Sequence, residues 1–554
     1  MHPVRLAAAL TAALVSATLL APVSASAFCG FYVAGSSEEL NNNATMVVMM
    51  REGTTTVLSM QNDYQGPPSD FALIVPVPVV LQEENVRTLP TEVFERVNTL
   101  ASPRLVEYWE QDPCAEMPEY DLAQPAATGM VRMRAAGGAT LGGLGVTIEA
   151  QFEVGEYEIS ILSARDSDGL ETWLRREEYN IPEGASASLR PYVEQGTKFF
   201  VARVNAERVT FEDGRAVLSP LRVHYDSETF SLPVRLGLLN SPGTQDLVVH
   251  VLSRSGRFEM ANYENVTIPT NLDVADEVRG RFGEFYATLL DLTLERHPGA
   301  VVTEYAWQAT NCDPCPGPVV TMQDLATLGA DVTGAPAAPN RGLGFFGGSQ
   351  WVLTRLHYRY AADGLDEDLV FRPADPIVGG REFLRENGAA GQLEEGSRPA
   401  VQNNFQARYA IRHPWEGAIE CESPVRGRWG GPPEAGQINE GSGPTAAAGD
   451  TAFATRGELE LPPMLRTAAP EVGLEPGLPT IADLLSGAAT AQAQAPENEG
   501  EQGTAETPTE PPTETPAPTP TSGCGGCAVG PRRTPWALGG LLALGLFLGR
   551  RRRS

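Results

Sequence analysis

The chain has 554 residues and carries 41 Lys and Arg against 70 Asp and Glu, a net charge of −29. Setting aside the seven arginines of the two terminal segments (Arg5, Arg532, Arg533 and Arg550 to Arg553), which hold no acids, leaves 34 basic against 70 acidic side chains, or −36. Such a surface repels phosphate backbones and excludes nucleic acid as a partner.

Met1 to Ala27 reads as a signal peptide: one arginine, an apolar run from Leu6 to Ala21, and Ala25-Ser26-Ala27 as the small-residue pattern cleaved after Ala27. The mature chain would begin at Phe28-Cys29. Phe28 is too bulky to precede a lipidated cysteine, so Cys29 is expected to be an ordinary one. The length allows three or four domains at about 100–200 residues each, and a low-complexity end reduces this to about two.

From 28 to 145 the chain reads as β-rich. Strands are predicted at Ala44–Arg51, Thr54–Gln61 and Phe71–Val77, with Glu52-Gly53 as a hairpin turn between the first two. Thr91–Leu100 places Val93, Phe94, Val97 and Leu100 at helical spacing and should pack on that sheet. Residues 112–145 lose periodicity and read as a loop or insertion.

The block 146–430 reads as the α+β remainder. Val146, Ile148, Ala150, Phe152 and Val154 alternate with polar residues, the mark of a half-buried strand, and Tyr157–Ala164 follows as another. Asp168 is expected to cap a helix through Arg176. Strands are predicted at Lys198–Asn205, Ala216–Tyr225, Leu247–Ser253 and Phe258–Tyr263. Asp273 should open an amphipathic helix carrying Val274, Val278, Phe282, Phe285, Leu289 and Leu292 to a stop at His297-Pro298-Gly299. Then come a strand Val301–Gln308, a helix Met322–Leu328 capped by Thr321, and strands Trp351–Tyr360 and Phe405–Ile411. Past Gly430 order is expected to fade, leaving 431–490 as a weakly ordered extension. The fold class is therefore α+β and β-rich, antiparallel sheets with a few packed helices, followed by a disordered stalk and a C-terminal hydrophobic helix.

Residues 491–523 form the stalk, with Pro508, Pro511, Pro512, Pro516, Pro518 and Pro520 among threonines and glutamates and no apolar material for a core. Held extended at up to ~3.1 Å per residue, it could reach about 100 Å. In 524–554, Cys524-Gly-Gly-Cys527 precedes an uncharged run from Thr534 to Gly549 and the cluster Arg550, Arg551, Arg552 and Arg553. The apolar part is shorter than the ~20 residues of a full span, and the arginines would stay cytoplasmic. This order resembles the MYXO-CTERM sorting signals of myxobacterial surface proteins. The resemblance implies a membrane-embedded sorting protease that removes the helix, and lipidation of Cys524 or Cys527. A retained tail anchor is the alternative. Either way the expected location is the cell envelope with the C-terminus as the membrane anchor, and the sorting reading places it at the outer-membrane surface.

Five further cysteines, Cys29, Cys114, Cys312, Cys315 and Cys421, are disulfide candidates in an oxidising compartment. Five allow two bridges and one remaining thiol, and spacing does not choose among the pairings. Cys312-Asp-Pro-Cys315 has three readings: a structural disulfide, a redox pair, or half of a metal site. No helix directly follows it to lower a thiol pKa, and zinc would require two more ligands, so the structural reading is preferred. Gly342-Leu-Gly344-Phe-Phe-Gly347 spells a dinucleotide fingerprint but lacks the flanking strand and helix. Asp363-Gly-Leu-Asp366-Glu367-Asp368 and Asp166-Ser-Asp168 raise calcium as the one cofactor to test, against the plainer readings of a solvated turn and a helix cap. His224, His250, His297, His357 and His413 fall at strand and helix positions that favour structural roles, although a triad of distant residues is recognised only by geometry.

Phe28-Cys-Gly-Phe-Tyr-Val33, Tyr157-Glu-Ile-Ser-Ile-Leu-Ser-Ala164 with Asp166-Ser-Asp-Gly169, Lys198-Phe-Phe-Val-Ala-Arg203, Leu236-Gly-Leu-Leu-Asn-Ser-Pro242 and Cys312-Asp-Pro-Cys315 resemble domain-of-unknown-function family 2330, over about residues 28–430. The resemblance implies an exported bacterial protein of one recurring architecture and carries no catalytic residues. The leading expectation is a binding or structural protein at the envelope with an unidentified surface ligand. The alternative is an envelope hydrolase. Exposed aromatics would favour the first, and a deep pocket with a His beside carboxylates or a nucleophile would favour the second.

Overall fold

The computed structural model describes residues 31–34, 44–61, 71–115, 141–142, 145–334, 351–381, 393–433, 445–448 and 457–486, short breaks within the longer stretches apart, together with Asn439 and Gly443. All of them belong to one compact unit, Met1–Ala495. No described helix is long and apolar enough to cross a membrane.

The central sheet has eleven strands. Side by side run Ser397–Pro399, Ile377–Gly379, Asn404–Gln406, Val301–Gln308, Val352–Tyr360, Gln245–Ser253, Ala44–Glu52, Thr55–Met60, Leu221–Asp226 and Val86–Thr88, with Asn265–Thr267 also on Val301–Gln308. Met46–Met50 is apolar without alternation because its strand is covered on both sides. Val47 and Met49 face one core, while Val48 and Met50 face another. The predicted hairpin closes at Gly53, whose φ of 58° suits a residue without Cβ.

A six-stranded antiparallel sheet, Phe31–Ala34, Phe71–Val77, Lys198–Val204, Tyr157–Ala164, Val146–Val154 and Leu141–Gly142, packs on one face of the central sheet. Leu73, Val75, Ile159, Ile161, Phe200 and Ala202 interleave there with Leu58, Val249, Val251 and Leu356. Its other face is covered by helices Ser167–Arg176 and Ala185–Glu194 through Leu170, Leu174, Leu189 and Tyr192. The opposite face of the central sheet carries helix Glu92–Ala101, which buries Val93, Phe94, Val97 and Leu100, and helix Phe282–Arg296. The layers therefore run helices, sheet, sheet, helices. A third sheet pairs Arg104–Glu110 with Arg408–His413, Trp429–Gly430 and Thr445–Ala447, and Leu272–Asp273 joins Arg408–His413.

Several expectations change. Asp166, not Asp168, caps the helix to Arg176, its carboxylate accepting from the Gly169 N–H at 2.5 Å. Asp273 lies in a strand; the helix it was expected to open begins as a 3₁₀ turn at Asp276–Arg281 and becomes α-helical at Phe282. Ala216–Tyr225 splits into Arg215–Val217 and Leu221–Asp226 around Pro220, which cannot donate to a ladder. Met322–Leu325 continues as a π turn, Ala326–Ala330, in place of an α-helix to Leu328, with the Thr321 cap as expected. Order does not fade uniformly past Gly430, because Leu461, Leu465, Ala469, Val472 and Leu474 pack on the helix Phe282–Arg296. Most pairings are antiparallel, but Ala44–Glu52 runs parallel to Gln245–Ser253 and Arg104–Glu110 parallel to Arg408–His413, and the short strands Asn265–Thr267, Leu272–Asp273 and Ile377–Gly379 also make parallel pairs.

Candidate ligand cleft and a buried charge network

Two polar constellations share the strand Val301–Gln308. The first is buried between the central sheet and its helices. Alternation on Val352–Tyr360 sends Leu356 and Tyr358 into the core between the two sheets and Arg355, His357 and Arg359 toward the helices. Glu304 lies opposite them and is fully buried. It accepts from Arg355 Nε, from the Tyr286 hydroxyl and from His357 Nδ1, the last at 2.8 Å. His357 Nε2 meets Asp246 at 3.1 Å, and Arg359 bridges Asp246, at 2.6 Å, to Asp291. Arg355 also reaches Asn98 at 2.5 Å and His250 Nε2 at 3.2 Å.

The charges in this network match. Three carboxylates (Glu304, Asp246, Asp291) face two arginines and one imidazole whose two nitrogens both point at carboxylates, the arrangement of a doubly protonated ring. Burial alone would lower the His357 pKa, but Glu304 and Asp246 raise it. Burial would raise the Glu304 carboxyl, yet Arg355 and His357 hold it down at about 2. His250 goes the other way, well below its ordinary value, because burial and the adjacent Arg355 both disfavour its cation. A His beside carboxylates is what a hydrolase reading would look for, and His357 is one of three among the described residues, with His297 beside Glu264 and His413 beside Glu107. His357 and Glu304 have no exposure, which seals them from substrate.

The second constellation is open. Asn404–Gln406 pairs antiparallel with Val301–Gln308, and beyond Gln308 the chain enters a loop closed by Ala309 N–H to Trp351 O at 2.9 Å and Val320 N–H to Ala309 O at 3.1 Å. The Cys312–Cys315 disulfide lies in this loop. Two buried side chains clamp it from below: Gln406 Nε2 donates to the Asp313 carbonyl at 2.9 Å, and Arg104 Nη1 to the Pro314 carbonyl at 2.9 Å. Arg104 has no accessible surface, and burial lowers its pKa to about 10, so it stays charged at neutral pH. Beside the loop a cleft of about 290 Å³ is lined by Trp307, Asn311, Cys312, Asp313, Arg381, Asn404 and Gln406. Arg381 is placed by Gly380 (φ 64°), where a Cβ would lie 1.7 Å from the Gln406 carbonyl. Its guanidinium holds Glu394 at 2.6 and 2.8 Å. Asn404 Oδ1 and Gln406 Oε1 are buried and have no hydrogen-bond partner among the described residues.

The other predicted residues fall as follows. Cys114 bonds Cys421 across a sequence separation of 307, near the carboxylate of Glu110, which binds Arg426 and the N–H groups of Trp415 and Gly427. Ala27, Cys29, Cys524, Cys527, Arg550 to Arg553 and Gly342 to Gly347 lie outside the described residues. Asp168 accepts from the Ser186 hydroxyl, and Asp368 binds Tyr192, Arg235 and the Val234 N–H; Asp363 is outside the described residues. Among the described residues no group of three or more His, Cys, Asp or Glu is arranged to hold a metal ion. His224 contacts Asn85 at 3.2 Å, His297 contacts Glu264 at 3.0 Å, and His413 stacks on Trp109 with ring centroids 4.6 Å apart. The expected patch of exposed aromatics does not form from the described residues' most exposed large apolar side chains, which are Val79, Met322, Val401, Ile419 and Val425.

Sequence reasoning noticed Cys312 and His357 but not Glu304, Arg355, Arg381, Asn404 or Gln406. Arg355-Leu-His357-Tyr-Arg359 carried the one usable signal, since alternating cations on a strand require either water or buried carboxylates.

A family model described as an uncharacterized protein conserved in bacteria, DUF2330, matches residues 23–372. The chain belongs to that family. The match includes the whole charge network and, of the cleft, Trp307 to Asp313; Arg381, Asn404 and Gln406 lie past its end. No curated protein and no solved structure matches the chain.

Proposed function

We propose that this DUF2330 protein is exported, held at the cell envelope through its C-terminal segment, and acts there as a binding module. The observation that carries the binding role is the contrast between the sealed His357–Glu304 pair and the open cleft, whose floor is fixed by two buried clamps and whose lining mixes amides, a carboxylate, a guanidinium and an indole. Rigid placement of a few polar groups beside an aromatic wall is what a ligand site requires. Export is supported by the two disulfides, which persist in oxidising compartments.

Anchoring rests on the Cys524-to-Arg553 pattern, with Cys524 or Cys527 as the residue that a sorting protease of the myxobacterial type would prepare for lipid attachment at the outer surface. Intact-mass measurement of the native protein, combined with protease treatment of whole cells, tests this part. The expected mass begins at Phe28, lacks Pro535–Ser554 and includes lipid, and the protein is removed by external protease. An unlipidated mass that retains the tail would exclude processing, and protection from protease in intact cells would exclude the surface location.

A further inference from the structure

We infer that the cleft beside the Cys312–Cys315 loop binds a neutral carbohydrate. This deepens the binding role proposed above and rests on it. The lining decides the ligand class by its hydrogen-bond inventory. Among the described residues the Asn404 and Gln406 amide oxygens have no hydrogen-bond partner, but both atoms are buried beneath the cleft surface, and Gln406 Nε2 is committed to the Asp313 carbonyl. Asp313 and Asn311 are exposed at the rim. The groups open to an occupant are therefore at the rim, where the exposed Asp313 carboxylate calls for a donor and repels an anion such as phosphate.

Arg381 does not reverse that preference, because two of its nitrogens already hold the carboxylate of Glu394, which offsets its charge. A hydroxyl group both donates and accepts, so a ring bearing several can donate to the Asp313 carboxylate while accepting from Asn311 or Arg381. The indole of Trp307, otherwise packed in the core with Leu353 and Val320, gives the cleft an apolar wall suited to the C–H face of a sugar. The volume, about 290 Å³, lies at the small end of ligand sites and fits a short oligosaccharide segment better than a folded partner.

The test is titration of the purified full chain in detergent with tri-N-acetylchitotriose, maltotriose and inorganic phosphate, read by calorimetry and tryptophan fluorescence. At least one sugar should bind saturably, phosphate should not, and Asp313→Ala and Asn311→Ala should each weaken the sugar about tenfold, the effect of losing one or two hydrogen bonds. Asp313 and Asn311 are both exposed, so these variants should fold. Failure of both sugars to bind at millimolar concentration, tighter binding of phosphate, or unchanged affinity in the Asp313 variant would overturn the inference. A sugar-binding protein that fractionates with the cytoplasm would retain the cleft and refute the envelope location. A surface protein that binds neither sugar would do the reverse.

Discussion

Glu304 and Trp307 stand three positions apart on one strand and belong to opposite kinds of polar site. Around Glu304 each charge has a counter-charge at hydrogen-bond distance and solvent is excluded. At the Trp307 end the cleft is partly open and Asn311 and Asp313 are exposed at its rim. A satisfied network holds a sheet to its helices, whereas polar groups exposed in a cleft are where a ligand gains by binding. The difference separates what the fold needs from what it offers.

The largest expected effect is on the network. Glu304→Ala leaves Arg355 and His357 buried without their shared carboxylate and should cost about 3–5 kcal/mol, measured by urea unfolding. A loss below about 1 kcal/mol, the range of exposed pairs, would show that water reaches the site. Next comes the long bridge. Joining residues 307 apart, Cys114–Cys421 should contribute roughly 2–4 kcal/mol, while Cys312–Cys315, with a separation of three, should contribute less because it closes so short a loop. Paired Cys→Ser variants compared in unfolding experiments would break this ranking if the short bridge proved the more stabilising.

The pH dependence has a definite sign. Glu304 is held at about 2 against an ordinary 4.5, so its contribution is complete above about pH 4.5 and is lost as pH falls through 2. His357 is raised, so its contribution is present below its ordinary value of 6.5 and is lost as pH rises through the folded value. His250 is lowered and acts oppositely, costing stability as pH falls below 6.5. Removing His250 as His250→Asn should therefore flatten the decline below pH 6.5. A steeper decline in the variant would contradict the assignment. The smallest stability effect is at the cleft, where Asp313→Asn should stay within about 0.5 kcal/mol of wild type.

Much of the framework was legible in the sequence because its signals are local. Phe71–Val77, Tyr157–Ala164 and Val301–Gln308 form strands at the predicted bounds, and the helix stripe Val93, Phe94, Val97, Leu100 is buried as predicted. What was missed depends on distant partners. Arg104–Glu110 has three charges in seven residues and becomes a strand because Arg104 finds the Pro314 carbonyl and Glu110 finds Arg426. The site was less legible still. Gln406 and Asn404 look like ordinary strand-end amides, and only the approach of the Cys312–Cys315 loop, from nearly a hundred residues earlier, makes them a cleft floor.

The most direct test of this separation is a paired measurement of urea stability and tri-N-acetylchitotriose or maltotriose affinity on two variants, Glu304→Gln and Asp313→Asn. The expected result is a double dissociation. Glu304→Gln lowers stability by several kcal/mol while the fraction that remains folded binds sugar as wild type does, and Asp313→Asn leaves stability unchanged while weakening the sugar. Loss of sugar affinity in folded Glu304→Gln, with Asp313→Asn indistinguishable from wild type, would contradict the account and move the functional site into the network.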